Sequence, residues 1–166
     1  MKDMPRNTSR LSEAELGAWA GFLRVNAALS RDMDARLQSE HGISLSDYDV
    51  LVVLANTPER RMRMSEIAES VLISQSGITR LVDRLVARGL VEREECPDDR
   101  RGYFAVLTGA GLAKVRKASR SHLVDVTERF LDRLSEAELE MLVEIWERLL
   151  PGTTEAVSPL AGSRQG

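Results

Sequence analysis

Among the 166 residues there is one cysteine, Cys96, so no disulfide can form within the chain. Histidines number only two, His41 and His122, far apart in sequence; with one cysteine they make no zinc-ligand spacing, and neither a metal nor a resident cofactor is expected. Long apolar runs are missing. The longest, VLVVLA at 50–55, is far too short to cross a bilayer. The opening MKDMPRNTSR lacks the apolar stretch of a secretion signal, so a cytoplasmic protein without membrane attachment is expected. No phosphate-binding glycine loop and no nucleophile–base set stands out, which argues against an enzyme. Positive charge is not in excess either: the net charge is −3. Non-specific DNA affinity comes mainly from cations meeting phosphates, so the total counts mildly against nucleic acid.

Distribution matters more than the sum. Residues 60–101 hold nine arginines against eight acids, grouped at Arg60, Arg61 and Arg63, at Arg80, Arg84 and Arg88, and at Arg100 and Arg101. The hydrophobic fraction of 43% and the length suit one domain with a real core. Residues 1–10 and 151–166 read as tails, and about six helices lie between them. LSEAEL occurs twice, at 11–16 and 134–139. Each copy offers a capping box, Ser12 with Glu15 and Ser135 with Glu138, so each starts a helix. The first helix (about 12–38) carries two apolar stripes, Leu16, Trp19, Ala20, Leu23, Ala27 and Phe22, Val25, Leu29, Met33. A helix apolar on two sides must meet two surfaces. The second helix is expected to be capped by Ser46. Arg61 to Arg63 can form a short strand edge, followed by a short helix over 64–70.

Residues 71–108, VLISQSGITRLVDRLVARGLVEREECPDDRRGYFAVLT, carry the most information. From 74 to 88 the pattern predicts a helix with Ile78, Leu81, Val82, Leu85 and Val86 on one side and Gln75, Ser76, Thr79, Arg80 and Asp83 on the other. Gly89 stops it, and strands over 90–93 and 103–107 flank a turn at 97–102 as a hairpin. A polar-faced helix followed by an arginine-tipped hairpin outlines a winged helix-turn-helix. Such helices read the major groove, and tip arginines reach phosphates or the minor groove. The fold class that follows is mostly α with a small β-hairpin wing, a winged helix-turn-helix core at about 45–107 joined to a helical dimerisation region. The dimerisation helices are placed at about 12–38, 108–133 and 135–150.

Those residues also resemble a family. The wing has Asp99-Arg100-Arg101, five residues, then Leu107-Thr108, and with SQSGITRLVDRLVARGLVER and ISLSDYDVLVVLA it is similar to the MarR (multiple antibiotic resistance regulator) family over about 16–150. The helix alone is a weak signal; the helix with the wing motif at this distance is a strong one. The resemblance implies a homodimer built from both chain ends and a near-palindromic double-stranded DNA operator. It also implies repression relieved by a small aromatic or carboxylate ligand. A winged-helix module for protein–protein assembly is the alternative.

For DNA contact the candidates on the helix are Ser74, Gln75, Ser76, Thr79 and Arg80. Gln pairs with adenine, Arg with guanine, and Thr offers its methyl to thymine. A solvated face with Ser74 as a simple N-cap is the plainer reading of the same residues. Arg84 lies further along and suits backbone or solvent. In the wing, Asp99 can clamp the guanidinium of Arg101 in an extended pose, while Arg100 faces a phosphate. Arg61 and Arg63 are supplementary candidates. Cys96, beside Glu94, Glu95 and Asp98, has surroundings that disfavour a reactive thiolate, so no redox role is expected. With only seven aromatics in the chain, Trp19, Tyr48 and His122, with Arg24 and Asn26, are the candidate effector cleft that the resemblance implies. Ordinary core and interface roles for Trp19 and His122 remain the alternative.

Overall fold

The computed structural model describes residues 10–71, 75–96 and 99–153. Its core gathers on helix α2 (Leu45–Asn56), whose Val50, Leu51 and Leu54 are fully buried. In the apolar run 50–55 the remaining Val52, Val53 and Ala55 are half-buried. Helices α3 (Met64–Ser70) and α4 (Gln75–Ala87) bury Ile67 and Ile78, Leu81, Val82 and Leu85 against it. Helix α5 (Gly109–Arg129) adds Val115 and Ala118. The sheet, β1 (Arg61–Arg63), β2 (Val91–Cys96) and β3 (Asp99–Leu107), is antiparallel in the order β1–β3–β2 and contributes Val91, Ala105 and Leu107. The long α1 (Glu13–His41) and the terminal α6 (Glu136–Leu149) complete six helices among the described residues.

Local chemistry explains the boundaries. Both copies of LSEAEL form reciprocal capping boxes, Ser12 with Glu15 and Ser135 with Glu138. Two expected boundaries are corrected. Helix α1 runs on to His41, because the first residue able to take the left-handed turn without strain is Gly42 (φ 65°). Helix α2 is capped by Ser44, not Ser46: Ser44 Oγ accepts from Asp47 N at 3.0 Å and Asp47 returns the bond to Ser44 N. An S-x-x-D box satisfies two orphan amides, which Ser46, already inside the helix, cannot do. Gly89 (φ 66°) ends α4 with bonds from Gly89 N to Val86 O and Leu90 N to Leu85 O, a Schellman closure.

The hairpin is also longer than the sequence suggested. Instead of a turn over 97–102, the pairing continues to Cys96↔Asp99, with a break in register after Glu95↔Tyr103. Residues 100–102 therefore form a bulge inside β3, the kind of irregularity that re-aims side chains at a wing tip. Pro97 and Asp98 lie outside the described residues. Val86, expected on the apolar side, is 36% exposed at the edge of that side.

The two chain ends pack differently from the middle. Of the 29 residues of α1, only Leu37 and His41 are buried, and α6 buries none. The C-terminal part of α1 is stitched to α5 by Arg36–Asp125 (2.8 Å), Arg129–Asp32 (3.1 Å) and His41 Nε2 to Ser121 Oγ (2.9 Å), while Arg129 also pairs with Asp125 within α5 (3.1 Å). Asp125 is itself buried, so its two arginines supply the compensation that a buried carboxylate requires.

Candidate nucleic-acid interface

Helix α4 turns its apolar side onto α2 and leaves Ser76, Thr79, Arg80 and Asp83 exposed. Its flank is held by α2. Arg84 donates to Asp47 Oδ1 at 2.8 Å, and Arg88 lies 3.7 Å from Oδ2. Asp47 is buried, and it accepts from Ser44 N as well. Arg84, a candidate for DNA contact, is thus paired with Asp47 while its side chain stays 55% exposed. Four residues after Arg80, it sits only about 40° further round the helix, on the flank nearer α2.

The opposite flank faces the wing. Arg93 of β2 pairs with Asp83 Oδ1 at 2.9 Å and lies 6.0 Å from the Tyr103 ring centre. On the outer face of the sheet Arg61 and Arg63 both lie over the Phe104 ring, at 4.9 and 5.5 Å, and Arg61 also pairs with Glu59 (2.9 Å) and Glu94 (3.6 Å). These supplementary candidates for DNA contact thus lie together over a ring, and Arg61 pairs with one acid just before the sheet and one within it. Thr108 explains the Leu-Thr end of the wing motif: its hydroxyl caps α5 at Gly111 N (3.0 Å) and donates to Gly89 O (2.8 Å) at the end of α4. Recognition helix, wing and α5 thereby share one anchor. Ser74 lies outside the described residues, as do the side chains of Gln75, Asp99, Arg100 and Arg101.

The five residues expected to form an effector cleft are not gathered in one place. Tyr48 and His122 do meet, with ring centres 4.7 Å apart on the seam between α2 and α5, and Tyr48 Oη donates to Ser119 Oγ at 3.1 Å. His122 Nδ1 is buried with no hydrogen-bond partner among the described residues. Burial pushes the His122 pKa below its usual value, against the pull of Asp125. Asn26 lines a different cavity of about 510 Å³ between α1, α5 and α6, together with Phe22, Val25, Phe130, Leu142 and Trp146. Trp19 is exposed near Phe22 (6.1 Å), and Arg24 is exposed on α1. Since His41 is level with Ser121, Trp19 stands about 30 Å along α1 from His122. A 3.6-residue repeat says which side of a helix a residue occupies, not which neighbour reaches that height.

Sequence reasoning gave no role to three residues that shape this surface: Asp47, Asp83 and Arg93. A signal existed for Asp83, an acid on a face otherwise suited to phosphate, which calls for a cation nearby. Only the fold identifies that cation as Arg93.

A helix-turn-helix with a three-stranded wing, its second helix exposed along a polar pole, defines a winged helix-turn-helix protein. A family model described as MarR family matches residues 41–102. The chain is 36% identical to AbsC of Streptomyces coelicolor, a MarR family transcriptional regulator, covering 86% of this chain and 95% of that one with a TM-score of 0.80. It is 34% identical to Sco3205 of the same organism, solved in complex with DNA, covering 95% and 98% with a TM-score of 0.83. To the transcriptional regulator MhqR of Bacillus subtilis it is 26% identical, over 84% of this chain and 93% of that one. The chain belongs to the MarR family of winged-helix, DNA-binding transcriptional regulators.

Proposed function

We propose that the protein is a homodimeric repressor that binds a near-palindromic duplex operator in the cytoplasm and is released by a small aromatic or carboxylate ligand. It acts by binding, without catalysis. The observation that carries the reading is the exposed pole of α4, with Ser76, Thr79 and Arg80 in front and the wing alongside. Thr79 and Arg80 read base edges in the major groove, and Arg101, steadied by Asp99, enters the neighbouring minor groove while Arg100 meets a phosphate. The solved DNA complex of the 34% identical Sco3205 supports DNA as the partner.

Dimerisation is supported by what one chain leaves uncovered. Trp19, Phe22, Leu23 and Val25 of α1 and Met141, Val143 and Leu149 of α6 are all exposed, more apolar surface than a lone chain usually shows. Ligand release is supported by the Tyr48–His122 seam, where an unpartnered buried nitrogen beside an aromatic ring offers a polar anchor to a ligand's carboxylate or phenol. No described helix is long and apolar enough to cross a membrane. Titration against a duplex enriched by the protein from a random-sequence pool, and against a shuffled duplex, tests the reading. Specific binding that weakens steeply with salt is expected. Equal, weak binding to both duplexes would leave protein–protein assembly as the better account.

A further inference from the structure

Asp83 is the misfit of the recognition helix: a carboxylate 57% exposed on the same pole as Thr79 and Arg80. Bare, it would face the phosphates that the arginines are there to meet. Arg93, one strand later, places its guanidinium 2.9 Å from Asp83 Oδ1. Arg93 stands on the inner face of the sheet, where it pairs with Ala105 and lies beside the Tyr103 ring. The same contact therefore neutralises the helix and draws the root of the wing toward it.

We propose that the Asp83–Arg93 pair is a charge shield and spacer in DNA recognition, making Arg93 a positioning residue that acts through Asp83 rather than by touching DNA. The proposal rests on the DNA-binding reading above. An exposed pair of this kind adds little to folding stability, so its place on the DNA-facing pole is where its effect is felt. Removing Arg93 leaves an uncompensated negative charge opposed to phosphate, and like charges brought together across an interface are costly.

The test uses the full-length protein and three variants, Arg93→Gln, Asp83→Asn and the double substitution. Each is titrated across a range of salt concentrations against the enriched duplex and its shuffled control. Arg93→Gln is expected to weaken binding to the enriched duplex about tenfold or more. The double variant, with the net charge of the wild type, should recover most of that loss and keep the wild-type salt slope. Asp83→Asn alone should tighten binding to the shuffled duplex, since it unmasks a cation. A direct phosphate contact by Arg93 predicts the opposite: no recovery in the double variant and a salt slope smaller by about 0.9. That result, or Arg93→Gln binding like the wild type, overturns the proposal. Should Arg93→Gln melt too early to assay, Asp83→Asn decides alone, and failure to tighten non-specific binding overturns it. A wild-type chain that enriches no duplex defeats the proposed function itself, and the shield with it.

Discussion

Gly111 sits in the first turn of α5, where an added Cβ would overlap the Leu90 carbonyl and lie 2.7 Å from Leu107 Cδ1. Backbone cannot yield there without shifting Thr108, which ties the end of α4 to α5. Gly111→Ala is therefore expected to lower stability by about 1–3 kcal/mol, the usual range for overpacking, read as an earlier urea midpoint. The residues proposed to meet DNA should behave oppositely. Arg101→Ala is expected to leave the urea midpoint unchanged and to weaken binding most where A·T pairs narrow the minor groove under the wing. Thr79→Ala or Arg80→Ala should instead change the preferred base at one operator position, by about 1–3 kcal/mol. Wild-type affinity of Arg101→Ala on both duplexes would remove the wing from recognition.

Between elements, the seam of α2 and α5 sets a pH dependence. The His122 pKa is lowered in the folded protein by burial, so the unfolded chain takes up its proton first. Stability is then fully present above the unfolded value of about 6.5 and falls as pH drops toward the folded one. Asp125 adds a second loss at lower pH. Burial raises its pKa, but the hydrogen bonds from Arg36 and Arg129 outweigh this and hold it low, so its contribution fades below about pH 4. Urea midpoints across pH 4–8 should show the first slope, and His122→Phe should flatten it; an unchanged slope would place the proton elsewhere. The proposed effector would act from the same seam, and its leverage over DNA binding would be limited to its differential affinity for two arrangements of the protein, about 1–3 kcal/mol.

For the whole molecule, the uncovered stripes of α1 and α6 predict a dimer that does not come apart at micromolar concentration. Truncation after Leu134 removes α6 and should abolish operator binding or cause aggregation, although α4 is untouched. Light scattering that finds a monodisperse monomer of the full chain would overturn this. Two-fold symmetry would set the recognition helices about 34–36 Å apart, so inserting half a helical turn between operator half-sites should abolish tight binding.

What could be read without coordinates was what depends on near neighbours. Capping boxes, the glycine stop at Gly89, the 3.6-residue stripe of α4 and the spacing from Asp99 to Thr108 are local patterns, and with them came the winged helix and the exposed polar face of α4. Ser44 was missed because two serines compete for one cap, and the loser differs only in which amides it can reach. The partners of charged residues needed the tertiary structure. Arg84 meets Asp47 across 37 positions, Arg36 meets Asp125 across 89, and Tyr48 meets Ser119 across 71. The proposed effector residues came apart for the same reason: helical periodicity orients a side chain around an axis, while height along that axis and the identity of the facing helix are decided by how α1, α2 and α5 pack. Sequence alone marked the polar face of α4; packing decided which charges on and beside it pair within the protein.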